Sequence, residues 1–378
     1  MGKKRTKKSM GNIVVPVNEP LIGNEEKKLV NECLETGWIS SAGRFIDEFE
    51  KAFSSYCECE YGVSTTNGTT AIHLALKSLG VGPGDEVLVP SFTMAGSVYP
   101  IVQCGAIPVF VDSEIETCNL SFEDLLSKLT PRTKAIVVVH LYGHPVEMDP
   151  IMKVAQERGI WVIEDAAEAH GALYKDRKAG SIGDVGCFSF YANKIVTTGE
   201  GGMLVSNNSE IVQKARQLKD LAHGEKRFTH VLPEAYNYRM TNIQAAIGLG
   251  QLKRIEQTIS RKIANAALYN DMLRDISDLV TPVCKPWVRN VYWMYGLRVK
   301  ETSRFSKEYL MSELATAGVG TRSFFYPQDK QPGFSRFGKG DCPNAEYLGT
   351  YGFYLPSGQT LTESQIAYVS ESLHKIMK

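Results

Sequence analysis

Residues 135–165 read AIVVVHLYGHPVEMDPIMKVAQERGIWVIED. Ala135–Val139 opens the stretch as a short β-branched run, and Ile160–Ile163 closes it just before the acids Glu164 and Asp165. Between them, Asp149–Arg158 follows a helical pattern. A strand that is apolar at nearly every position has no face to give to water. Joining two such strands through a helix is the connection that parallel strands require. The stretch therefore predicts one βαβ unit of a mostly parallel sheet covered on both faces.

The same rhythm continues outward. Strand candidates Val63–Thr65, Glu86–Val89 and Ile107–Val111 come before it, with helical patterns at Thr69–Leu79 and Phe122–Leu129. Gly186–Tyr191 and Gly202–Ser206 follow at close spacing, as a pair able to run antiparallel. Nearer the start, Asn24 can cap a helix carrying Leu29, Val30, Cys33 and Leu34 on one face, with Gly37 as its stop. A second amphipathic helix carries Phe45, Ile46, Phe49 and Phe53, and the small-residue loop 37–43 between the two holds Trp38. A long helical stretch from about Thr241 to about Leu273 contains the boundary to a smaller α+β unit. That unit has strands near Tyr292–Val299 and Thr321–Phe325 and helices near Ser306–Ala317 and Thr362–Ile376. The expected division is a basic, solvated arm over 1–12, a large domain over 13–255 and a small C-terminal domain over 256–378.

Composition narrows the function. The 378 residues carry 42 Lys+Arg against 42 Asp+Glu, a balance that argues against nucleic acid as partner. No apolar run reaches the ~18 residues of a membrane span, and no signal-peptide core opens the chain, so a cytoplasmic protein without membrane contact is expected. Gly2–Thr6 formally match a myristoylation pattern, with no other membrane feature beside it. The eight cysteines are scattered with no CxxC pair, as buried thiols in a reducing compartment would be. Cys57 and Cys59, near His73, lack the second pair that zinc spacing demands, so no metal is expected.

In a parallel α/β sheet, ligands bind at the loops leaving the carboxyl ends of the strands. Four loops meet that criterion. Asn67-Gly68-Thr69-Thr70 opens a helix whose free N–H groups can cradle a phosphate, although Asn-Gly is also a common turn. Asp165 ends a buried strand, where it could pair with a cationic ligand atom, bind Mg²⁺ or simply cap the next helix. Lys194 follows the apolar run containing Ser189 and precedes the turn Gly199-Glu200-Gly201-Gly202. Lysine is usually a solvated surface residue, but in such surroundings its pKa can fall and make it a Schiff-base nucleophile. Tyr236–Asn242 reads either as a capped helix start or as an anion clamp built on Arg239. A phosphate cradle, a strand-end Asp and a Lys 29 residues later together match what pyridoxal 5′-phosphate needs: an anchor, a partner for the pyridine nitrogen and a linking amine. Residues 180–186, GSIGDVG, do not make a dinucleotide fingerprint, because their spacing is wrong.

The segments GWISSAGRFIDEFE, TTNGTTAIHLAL, GPGDEVLVPSFT, VIEDAAEAHGA, FSFYANKIVTTGEGGM and YNYRMTNIQAAIGLGQL resemble the DegT/DnrJ/EryC1/StrS sugar-nucleotide aminotransferases from about Val15 onward. That resemblance implies the aspartate-aminotransferase-like (type I) fold, a three-layer αβα large domain with a smaller α+β domain, and a homodimer with shared active sites. It implies that Lys194 carries the cofactor and shuttles the proton. Asp165 would pair with the pyridine nitrogen, Glu168 would lie near the phenolic oxygen, and Gly68, Thr69 and Ser189 would hold the phosphate. Asn237 or Arg239 would reach the phosphate from the partner subunit, while Trp38, Ser40 and Glu200 would line the sugar side. Where the family usually stacks an aromatic on the cofactor, this chain has Met94. Where the family reads Y-P-x-H near the sugar nucleotide, it has Tyr326-Pro327-Gln328-Asp329.

WISSAGRFIDEFE, HLYGHP and NKIVTTGEGGM are most similar to the branch that aminates C4 of GDP-4-keto-6-deoxymannose with L-glutamate, for surface polysaccharide such as O-antigen. Action at C3 or C4 of a dTDP- or UDP-linked ketosugar is the alternative within the same chemistry. A non-catalytic PLP-binding regulatory protein is the alternative from another class, and the intact Lys194, Asp165 and glycine turn argue against it. A nucleotide-binding module without PLP would be colourless.

Overall fold

The computed structural model describes residues 15–226, 228–338 and 340–378, so the basic arm expected over 1–12 and the Gly2–Thr6 pattern lie outside the described residues. The βαβ reading holds. β1 (Tyr61–Thr65), β2 (Glu86–Pro90), β3 (Ile107–Val111), β4 (Thr133–Val139), β5 (Trp161–Asp165), β8 (Val185–Ser189) and β9 (Gly202–Ser206) form one seven-stranded sheet in the order β1-β9-β8-β5-β4-β2-β3. From β3 to β8 the neighbours are parallel, while β9 runs antiparallel between β8 and β1. β2 and β9 are buried at every position, as apolar strands beneath two layers of helix must be. The register sets Val139 against Asp165 and Asp165 against Cys187, so the carboxyl ends of β4, β5 and β8 finish along one edge.

Three helices come first along the chain. α1 (Asn24–Thr36) stops at Gly37, whose φ of 75° is the left-handed conformation that glycine adopts freely. Its N-cap is Gly23 rather than the expected Asn24, and the Glu26 carboxylate accepts from the Gly23 N–H at 2.9 Å. α2 (Arg44–Tyr56) buries Phe45, Phe49 and Phe53, the last two packing on Phe190 of the loop after β8. α3 (Gly68–Ser78) is capped by the Asn67 side chain, which accepts from the Thr70 N–H at 2.9 Å.

The stretch read as one helix over 241–273 is two, Asn242–Leu252 and Ile255–Leu273. The second joins two cores: Ile255 and Ile259 pack with the main sheet, whereas Ala266, Tyr269 and Leu273 pack with a second cluster. That cluster lies on a four-stranded sheet ordered β10 (Leu279–Val280), β12 (Tyr295–Val299), β14 (Gly352–Leu355), β13 (Arg322–Ser323). Val15 packs there too and bridges Val319, so the start of the described chain joins its C-terminal third. β6 (Leu173–Tyr174), β7 (Arg177–Lys178) and β11 (Val288–Arg289) make a small third sheet. No helix among the described residues is long and apolar enough to cross a membrane.

Candidate active site

The chemistry gathers at the aligned strand ends. β8 and β9 are joined by the loop 190–201, and Lys194 lies within it. Its Nζ is 3.7 Å from Glu168 Oε1 and 3.8 Å above the centroid of the Trp293 ring. Burial lowers the Lys194 pKa, against the opposing pull of Glu168 and Asp165. Burial also pushes the Glu168 carboxyl up to about 7, even though it accepts the Tyr142 N–H at 2.8 Å. Tyr142 holds that N–H in place with a φ of 54°, an uncommon left-handed conformation for a non-glycine residue. An amine and a carboxyl drawn toward neutrality and placed side by side can pass a proton between them.

Asp165 closes β5. Its Oδ2 accepts from Ser97 Oγ at 2.7 Å and its Oδ1 from the Ala167 N–H at 3.1 Å, while burial raises its pKa. Two donors fix the plane of a buried carboxylate that forms no ion pair among the described residues, with Lys194 acting on it only from a distance, and a protonated ring nitrogen would supply the missing partner. Its neighbour Glu164 does different work. The alternation of the strand turns Glu164 the other way, where it accepts from His140 Nε2 and from the N–H groups of Gly180, Ile182 and Gly183. Those bonds occupy the backbone of the GSIGDVG turn.

The phosphate cradle expected at α3 is present in outline. Gly68 backs onto Ser189 so closely that a Cβ there would come within 2.8 Å of Ser189 Cβ. Across the gap, a Cβ on Gly96 would stand 2.9 Å from Thr69 Oγ1. The first N–H groups of a helix have no intrahelical acceptor and favour an anion. Gly68, Thr69, Ser189, Asp165, Glu168 and Lys194 thus present, in one chain, the anchor, acid and amine that pyridoxal phosphate requires, and they fit it. Met94 stands open at the start of the short turn that delivers Ser97 to Asp165.

The outer candidates fall into separate groups. Trp38, 58% exposed, and Ser40 are tied down by Asn242, which donates Nδ2 to the Trp38 carbonyl at 2.7 Å and its N–H to the Ser40 carbonyl at 2.6 Å. Gln244, two residues on, donates to the Glu200 carbonyl. One helix start therefore sets the Trp38–Ser40 loop and the glycine turn together. Arg239 pairs with Asp220 at 3.0 Å and donates to Asn237 Oδ1 at 2.9 Å within its own chain. Asp329 is placed otherwise than expected: it is 2% exposed, and its carboxylate accepts Ser91 Oγ at 2.5 Å while Gln328 Nε2 donates to the Thr93 carbonyl. These two residues clasp the end of β2 to the C-terminal part, and Tyr326, 59% exposed, is the open side chain of that segment. Sequence reasoning missed Ser97, Tyr142 and Trp293. Ser97 and Tyr142 carry no local signal, and Trp293 reads as part of an apolar run.

Residues 20–374 match the model of the DegT/DnrJ/EryC1/StrS aminotransferase family. The chain belongs to this family, and it is an aminotransferase whose cofactor is pyridoxal 5′-phosphate. It is 42% identical to the GDP-perosamine synthase of Caulobacter vibrioides over 367 residues, which cover 96% of this chain and 98% of that protein. Its identity with the GDP-perosamine synthase of Escherichia coli O157:H7 is also 42%, over 365 residues with the same coverage. Among solved structures, Spr1654 from Streptococcus pneumoniae in its PLP form superposes with a TM-score of 0.91 at 27% identity, covering 96% of this chain and 98% of that one.

Proposed function

We propose that the protein transfers the amino group of L-glutamate to C4 of GDP-4-keto-6-deoxy-D-mannose, giving GDP-perosamine. It would do so as a cytoplasmic homodimer that supplies an amino sugar to surface polysaccharide. The reaction class rests on the buried Lys194 amine set against Glu168 at 3.7 Å, beside Asp165 and the start of α3. The choice of sugar rests on the 42% identity to two GDP-perosamine synthases over nearly the whole chain.

Pyridoxal phosphate, when bound, supplies an electron sink and a temporary carrier for the amino group. The rest is work for this chain's own side chains. The start of α3, with Thr69 and Ser189, anchors the phosphate. Asp165, held flat by Ser97 and Ala167, keeps a positive charge on the ring nitrogen. Lys194 Nζ removes a proton from one carbon and returns it to another, with Glu168 able to hold that proton between steps. Trp38, Ser40, Glu200 and Tyr326 line the approach of the nucleotide-linked sugar, and Arg239 or Asn237 serves the partner subunit's phosphate site. A panel of GDP-, dTDP- and UDP-linked ketosugars assayed with glutamate tests the reading. Turnover should be greatest with GDP-4-keto-6-deoxymannose, and greater turnover of a dTDP- or UDP-sugar would replace it.

A further inference from the structure

We propose that Trp293 is the seat of the Lys194 amine whenever that amine is not bonded to the cofactor, and that buried Lys262 fixes this seat from behind. Transamination frees the enzyme's lysine for part of every turnover, because the cofactor then carries the amino group instead. The free amine must stay within reach and in a defined charge state. Lys194 Nζ lies 3.8 Å above the Trp293 ring centroid, well inside the ~6 Å at which a cation is drawn to an aromatic face. At 3.7 Å, Glu168 Oε1 is within ion-pair reach but beyond an ordinary hydrogen bond, so the ring face shares the amine with that carboxylate.

The seat is rigid. Trp293 is 4% exposed, and its Nε1 donates at 2.8 Å to the carbonyl of Asn193, the residue just before Lys194. The same carbonyl accepts from Asn18 Nδ2 at 2.8 Å. On the other side, Lys262 Nζ donates to the Trp293 carbonyl at 3.0 Å and to the Ser357 carbonyl at 2.6 Å. Lys262 is 4% exposed, and burial with no acidic neighbour to offset it pulls its pKa down to about 7. A buried lysine joined to two carbonyls costs more than an apolar side chain of that length would. Here it reaches from the helix Ile255–Leu273 to two separate segments, and one of them carries the indole. Glu168, Asp165 and the buried His170 are the titratable groups that face Lys194. Glu168 and Asp165 favour its ammonium, His170 is held neutral by burial, and the Trp293 face adds to the first two.

The seat has meaning only if Lys194 is the amine that bonds the cofactor, as proposed above. The test uses protein loaded with pyridoxamine 5′-phosphate, in which that amine is free. Wild type, Trp293→Phe, Trp293→Leu and Lys262→Met are labelled with trace acetic anhydride across pH, and peptide mapping follows acylation of Lys194. The midpoint should fall by about one pH unit in Trp293→Leu and by less in Trp293→Phe, which keeps a weaker aromatic face. Lys262→Met should lower it in the same direction, because the ring loses its fixed position. The same variants should lose kcat while KM for glutamate stays near the wild-type value. An unchanged Lys194 midpoint in Trp293→Leu, or equal midpoints in the Leu and Phe variants, would overturn the proposal. If Trp293→Leu does not fold, Trp293→Phe decides alone, and no lowering there overturns it. Failure of the premise would show separately, as wild-type protein in which the cofactor bonds some other lysine.

Discussion

Asp165→Asn should leave the fold and the phosphate cradle intact and nearly abolish turnover. The amide keeps the shape of the carboxylate, and its Oδ1 can still accept the Ala167 N–H. Its NH₂ then faces Ser97 Oγ, which can turn to accept, so the loss in stability should be about 1 kcal/mol. The loss in rate is larger. Asp165 is buried, and the ring nitrogen opposite it needs a full negative charge to stay protonated. Removing one member of a buried charge pair costs about 3–5 kcal/mol, which at about 1.4 kcal/mol per factor of ten is roughly two to three and a half orders of magnitude in kcat. Stopped-flow absorbance of the bound cofactor after mixing with glutamate measures this step directly. Cofactor affinity should change far less than kcat, because α3 and Ser189 are untouched. A variant within about fivefold of wild type in that half-reaction, roughly 1 kcal/mol, would show that Asp165 does not hold the charge.

Other consequences follow from the same geometry. Glu168 is moved from 4.5 up to about 7, so its folded form keeps a proton; this contribution to stability is complete below pH 4.5 and is lost as pH rises through 7. Cofactor-free Glu168→Gln should therefore match wild type at acid pH and exceed it by up to about 3 kcal/mol above pH 7, read by denaturant melts at several pH values. Gly68→Ala forces a Cβ to within 2.8 Å of Ser189 and should cost about 1–3 kcal/mol, with at least a tenfold weaker cofactor Kd by absorbance titration; an unchanged Kd would move the phosphate elsewhere. Lys194→Ala mixed with an Asn237→Ala, Arg239→Ala double variant should regain part of the activity after co-refolding, because a loop acting across subunits leaves one intact site per mixed dimer. Mixed dimers confirmed by mass but still inactive would mean that the loop acts within its own chain.

Much of the fold was legible because the parallel strands are short apolar runs that stay apolar once buried. β3 and β9 were bounded to the residue. β14 was not foreseen, because Gly352–Leu355 follows a helix without a turn signal and is made a central strand only by the pairing of β12 and β13 around it. The helix Ser209–Lys219, capped by Asn208, went unread although its cap and amphipathic pattern lie in plain sequence. At the site, Lys194 and Asp165 stood out because a charge after an apolar strand is unusual. What sequence could not show is distance. Glu164 and Asp165 are adjacent yet point to different partners, and Asp329 looks like a surface acid until Ser91 is seen against it. Trp293 meets the Lys194 loop across 100 residues of chain, and no local pattern encodes that contact.

The central claim is that Lys194 is the amine that bonds pyridoxal phosphate. Borohydride reduction of the PLP-loaded protein makes that bond permanent, and proteolysis with mass spectrometry then locates it. A single pyridoxyl group on the peptide containing FSFYANK, absent from Lys194→Ala, is the predicted result. The group found on another lysine, or on none while glutamate turnover persists, would contradict the account.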